Sequence, residues 1–75
     1  MNIKHLFTVI IEKDKDGYYA YCPQLQGCYS QGETYEEAME NIKDAIHLHV
    51  EDRKEKKESW KKTESINVTS LELSL

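Results

Sequence analysis

Thr34-Tyr35-Glu36-Glu37-Ala38-Met39-Glu40-Asn41-Ile42, continuing through Lys43-Asp44-Ala45-Ile46-His47-Leu48-His49-Val50, reads as one amphipathic helix and fixes the rest of the chain around it. Tyr35, Ala38, Met39, Ile42, Ala45, Ile46, His49 and Val50 recur at helical spacing and make a single apolar stripe. Thr34 with Glu37 three residues on forms a capping box, in which each side chain satisfies the other's backbone N–H. Glu36, Glu40, Lys43 and Asp44 fall on the opposite face. Arg53 and Lys54 come near the C-terminal end, where the helix dipole favours positive charge. Leu48 lies off the stripe, and one exposed leucine needs no explanation.

Upstream of the helix the period changes to two. From Ile3 to Ile11 nearly every residue is apolar or β-branched, with Ile3, His5, Phe7, Val9 and Ile11 on one face and Leu6, Thr8 and Ile10 on the other. Apolar residues on both faces predict a central strand, or one whose second face meets another subunit. Lys13-Asp14-Lys15-Asp16-Gly17 is a turn, and Tyr18–Cys22 follows as an antiparallel strand. Pro23 cannot donate to a ladder and ends that strand. Gln24–Gly27 is then a loop, Cys28–Gln31 a short third strand, and Gly32 its break. Three strands with tight connections predict a meander.

Downstream, residues 51–64 are mostly charged and either extend the helix or form a short second one, with Trp60 as the anchor. Ser65–Leu75 reads as a last strand whose alternation changes phase, from Ile66 and Val68 to Leu71, Leu73 and Leu75. A β-bulge near Thr69-Ser70 would reconcile the two halves. A tail whose second half is buried against another chain would do so too, and three leucines in so small a chain favour that reading. Leu71, Leu73 and Leu75 are therefore the expected oligomer contacts, in a homodimer or a higher homo-oligomer. With no internal repeat or linker, the expected fold is α+β in the order β-β-β-α-β: one domain over residues 1–75, an antiparallel meander with a long helix packed on the sheet and a C-terminal strand.

Composition narrows what such a domain does. At 75 residues the chain has little core to bury, so stability is expected to be marginal and a partner subunit welcome. The apolar stretch Leu6–Ile11 is too short for a membrane span or a secretory core, which predicts a cytoplasmic protein with no membrane association. A net charge of −4 argues against wrapping a nucleic acid backbone but suits a basic protein partner. Cys22 and Cys28 read as two buried thiols, because a zinc site wants closer pairs and further ligands. His47 and His49 project to different faces of the helix and cannot chelate together.

Neither nucleophile-and-base spacing nor a convergent carboxylate set is evident, so no catalytic residue, metal or cofactor is expected. Tyr18, Tyr19, Tyr21 and Tyr29 could stack on RNA, yet strands two and three carry no Lys or Arg. Core packing and protein contact account for the tyrosines better.

The run Glu12–Ala45 resembles the HicB family of bacterial and archaeal antitoxins. The likeness is an ordered set: the Asp16-Gly17 turn, an aromatic strand ending in Pro23, the loop with Leu25, Gly27 and Cys28, the helix entry Gln31-Gly32-Glu33-Thr34, and Glu37-Ala38 with Asn41. The resemblance implies a partial ribonuclease-H-like sheet without the catalytic carboxylates of true ribonucleases H. It also implies a role in type II toxin–antitoxin systems: neutralising HicA, a small basic toxin that cleaves messenger RNA. Many members carry a C-terminal DNA-binding module. No such module is expected after Leu75, so direct nucleic-acid binding is not expected either. Candidate toxin-facing residues, chosen by charge, are Asp14, Asp16, Glu36, Glu40 and Asp44. A stand-alone RNA-binding module, or an orphan protein-interaction domain without a toxin, is the alternative, and a metal-dependent nuclease is a further rival.

Overall fold

Three small residues set how closely the helix approaches the sheet. The computed structural model describes residues 4–59 and 64–75. Within them lie β1 (Ile10–Asp14), β2 (Gly17–Tyr21), β3 (Tyr29–Gly32) and α1 (Tyr35–Glu55). The strands form an antiparallel sheet in the order β1-β2-β3. Ala20 in β2 and Ala38 in α1 are fully buried. At Gly32 a β-carbon would fall 2.5 Å from the Ala38 backbone nitrogen. The α1 backbone therefore lies directly against the end of β3. Gly32 is the last residue of the strand, and its part is to admit the helix, not to break the ladder.

The core is thin. Ala20, Cys22, Leu25, Cys28, Ala38 and Ile42 are buried, with Phe7, Val9, Ile11, Tyr18, Met39, Ile46 and Val50 packed around them. Odd-numbered residues of β1 and even-numbered residues of β2 thus face the helix. The helix leans over β3 and β2 and scarcely touches β1.

The predicted first strand is longer than the observed one. Ladder pairing starts at Ile10, opposite Tyr21, because Pro23 deprives the preceding residues of a backbone partner. Gln24 supplies a substitute: its Oε1 accepts from the Thr8 N–H at 2.6 Å, and its Nε2 donates to the Leu6 carbonyl at 3.3 Å. The β1–β2 turn is also tighter than predicted, since Asp14 pairs with Gly17 and only Lys15-Asp16 lie between. The Asp14 carboxylate accepts from the Asp16 N–H at 2.8 Å, and Gly17 has φ 133°.

Residues 22–28 make two β-turns in tandem. Leu25 N–H donates to the Cys22 carbonyl at 3.2 Å, and Cys28 N–H to the Leu25 carbonyl at 3.1 Å. Pro23 suits the second position of the first turn, and Gly27, at φ 79°, the third position of the other. A bond from Cys22 N–H to the Cys28 carbonyl, 3.0 Å, closes the base. Leu25 sits where the turns meet and points into the core.

The cap of α1 forms with one shift. Thr34 Oγ1 accepts from Glu37 N–H at 3.0 Å as expected, but the Glu37 carboxylate accepts from Glu33 N–H, at 3.2 Å. The charged segment extends the helix to Glu55. It ends in a Schellman motif, with Lys57 N–H on the Lys54 carbonyl (3.1 Å) and Glu58 N–H on the Arg53 carbonyl (2.8 Å). Lys57 holds the left-handed position at φ 57°, where a β-carbon is unfavourable. Lys57→Gly is expected to stabilise the domain by about 0.5–1 kcal/mol, read as a higher denaturation midpoint.

The predicted role of Trp60 lies outside the described residues. The predicted last strand does not form: residues 65–75 carry no strand, and Val68, Leu71, Leu73 and Leu75 are exposed. A strand exists only through a ladder partner, and nothing among the described residues pairs with the outer edge of β1.

Candidate interaction surface

With α1 on one side, the other side of β2 and β3 is left uncovered by any element among the described residues. Tyr19, Tyr21 and Tyr29 project from it. The Tyr19 and Tyr29 rings stack with centroids 6.0 Å apart and planes 23° apart, and Tyr21 lies 6.2 Å from Tyr19. Tyr19 is 41 % and Tyr29 61 % exposed, so core packing does not account for them. Only Tyr18 turns to the helix side, with its ring edge-on to Tyr35 and Lys13 Nζ 5.7 Å above it. The signal was present in the sequence: Ala20 and Cys22 are small enough to lie under a helix, which turns Tyr19 and Tyr21 outward.

Two shallow hollows flank the tyrosines. One, of about 520 Å³, is bordered by Glu12, Lys13, Asp14, Asp16, Tyr19 and Gln31. The other, of about 460 Å³, runs past Tyr21, Pro23, Gln26 and Tyr29. The open face is thus aromatic in its middle and charged at the turn end, where Glu12, Asp14 and Asp16 outnumber Lys13 and Lys15. Tyrosine suits such a surface, because it offers rigid contact area with a polar tip.

The five acidic candidates divide into two groups. Asp14 and Asp16 are exposed at the β1–β2 turn. A β-carbon on Gly17 would come 2.9 Å from the Gly32 carbonyl oxygen and 3.9 Å from Glu33 Cα, so this turn abuts the entry to α1. Glu36, in the first helical turn, belongs to the same end. Glu40 and Asp44 continue along the outer face of α1, which points away from the tyrosines. Leu71, Leu73 and Leu75 stand apart on the C-terminal arm.

The thiols are structural. Both cysteines are buried and free. Burial pushes the Cys28 thiol above its ordinary value, Cys22 adds to the rise, and Arg53 offsets part of it. A raised value keeps Cys28 protonated at neutral pH, which suits packing and not nucleophilic attack. His49 lies against the tandem turn, its Cε1 4.0 Å from where a Gly27 β-carbon would sit. No group of three or more His, Cys, Asp or Glu side chains among the described residues could hold a metal ion. No helix among them is long and apolar enough to cross a membrane.

Fold and surface together define a small α+β domain with one sheet face covered by a helix and one left open. The family described as HicB_like antitoxin of bacterial toxin-antitoxin system matches residues 7–73, and the chain belongs to that family. Its relatives include UPF0150 proteins, which are members of the same family. One from Synechocystis sp. is 56 % identical over 46 residues, covering 60 % of this chain and 58 % of the relative. One from Helicobacter pylori is 55 % identical over 47 residues, covering 63 % and 65 %. One from Thermoplasma acidophilum is 44 % identical over 64 residues, covering 84 % of this chain and 93 % of the relative. The chain therefore spans less than two thirds of the first two relatives and nearly all of the third. No solved structure matches significantly.

Proposed function

We propose that this chain is a cytoplasmic, non-enzymatic antitoxin that binds and neutralises a small basic HicA-type toxin cleaving messenger RNA. The family match over residues 7–73 carries the reading. The surface supports it. A net charge of −4 favours rapid, oriented approach to a basic partner, and the exposed tyrosines offer contact area once it arrives. The docking surface runs from the Asp14-Asp16 turn onto Tyr19 and Tyr29, while Glu36, Glu40 and Asp44 add to the attraction at longer range. The partial ribonuclease-H-like architecture of the reading requires one more strand, which residues 65–75 would supply in a homo-oligomer.

The test is an RNA-cleavage assay with the basic protein that co-purifies with this chain. Cleavage should stop when the chain is added at equal concentration. Asp14→Lys with Asp16→Lys should slow association by about tenfold, an effect that fades with added salt. The triple reversal at Glu36, Glu40 and Asp44 should slow it less, and Tyr29→Ala should speed dissociation. Unaltered rates at low salt for both sets of reversals would remove the charged surface from the account.

One observation favours a second reading. The Tyr19–Tyr29 stack is the geometry of a platform for single-stranded RNA. Its strands lack the basic residues that such platforms place beside the rings, so salt-sensitive RNA affinity in the absence of any toxin is the result that would promote it.

A further inference from the structure

We infer that the leucine arm of one copy completes the sheet of a second copy by pairing with the outer edge of β1. Thr8 N–H and the Leu6 carbonyl turn toward Gln24, on the β2 side. Strand alternation then turns the backbone groups of Val9 and Ile11 to the opposite edge, where no described strand lies. Because α1 leans toward β3, an apolar groove of about 590 Å³ remains beside that edge, bordered by Val9, Met39, Ile42, Ile46 and Val50.

The arm has the chemistry to fill it. Leu71, Leu73 and Leu75 share one side of an extended chain and are 82 %, 70 % and 116 % exposed. A strand added here would gain main-chain bonds from the edge and bury alternate side chains in the groove.

Two observations make the groove's occupant the arm of another copy. Ile66 and Val68 border a hollow with Thr8, Ile10 and Gln24, on the sheet face opposite the groove. The arm passes the edge of the sheet there, and its leucines, all exposed, do not line the groove of their own chain. The chain also extends beyond its body: its radius of gyration is 14.5 Å, against roughly 11 Å for a closed domain of this length. The change of phase within the segment now has a cause. Ile66 and Val68 serve the chain's own sheet, and the three leucines serve its neighbour's, in a reciprocal twofold pair.

Light scattering on size-fractionated protein, combined with amide hydrogen exchange, tests the pairing. The wild-type chain should be a dimer at micromolar concentration, with slow exchange at Val9 and Ile11. Leu71→Glu with Leu73→Glu should weaken dimerisation by about a hundredfold or more and speed exchange at both amides. The arm is exposed and carries no strand in the single chain, so this variant should keep its helix content and cooperative unfolding, losing only the strand signal that the paired arm contributes. Leu48→Glu, on the outer face of α1, should leave the dimer intact. A wild-type monomer with slow exchange at Val9 and Ile11 would mean that the arm closes on its own sheet, overturning the inference. So would a dimer indifferent to the arm substitutions, or one lost equally on Leu48→Glu.

Discussion

Replacing Gly32 with alanine should destabilise the domain by about 3 kcal/mol, a loss this small chain can barely absorb. The added carbon would meet Ala38 N at 2.5 Å, Glu37 C at 2.9 Å and Ala38 Cα at 3.0 Å, all of them backbone. No side chain can swing aside, so α1 itself must retreat. Retreat loosens Ala38 and Ile42, both fully buried, and strains the Asn41 Nδ2 bond to the Gln31 carbonyl, 2.8 Å. In urea the unfolding midpoint should fall by roughly 2–3 M, taking a slope of about 1 kcal/mol per molar for so small a domain. A midpoint lowered by less than about 0.5 M would show that the helix yields freely at this contact.

Leu25→Ala should cost about 2–5 kcal/mol, although Leu25 lies in a loop. Leu25 and Ile42 are the two largest fully buried side chains after which only small ones remain, so the core has little with which to refill the space. Two backbone bonds, at 3.2 and 3.1 Å, also hold Leu25 at the junction of the tandem turns, which limits collapse around the gap. The midpoint of thermal unfolding should fall by more than about 10 °C, since each kcal/mol is worth about 4–8 °C in a domain this size. Leu25→Met, nearly the same volume, should cost less than about 1.5 kcal/mol. A small loss with alanine would mean that the loop and helix close the cavity between them.

What the sequence made legible was local. Thr34 and Glu37 mark the start of α1, and the stripe from Tyr35 to Val50 marks its inner face, because capping and periodicity act over a few residues. The meander followed from Gly17 and Pro23 for the same reason. Properties that depend on a distant partner were misread. Ile3–Ile11 looks like strand throughout, yet Pro23 withholds the ladder from the residues before Ile10. Gly32 reads as punctuation until the Ala38 backbone is seen beside it.

The candidate surface shows the same division. That Asp14, Asp16, Glu36, Glu40 and Asp44 would be exposed follows from charge alone. That Glu40 and Asp44 point away from the tyrosines follows only from knowing which sheet face the helix covers. Ile66–Leu75 shows the limit most plainly, since a strand's apolar pattern says that it wants a partner and not which chain provides it.

Gln24 gives the sheet an ordered way of coming apart. Past Pro23, the side-chain amide of this one residue stands in for a stretch of backbone, holding Leu6 and Thr8 by two bonds. Ordinary ladders fray one rung at a time, whereas here both rungs hang on a single rotamer. When that amide swings out, both bonds go in one step, while the register from Ile10 to Asp14 is left untouched. Opening at this end is therefore a step gated by the Gln24 amide and opposed by the packing of Phe7 and Val9 on the core, separable from global unfolding.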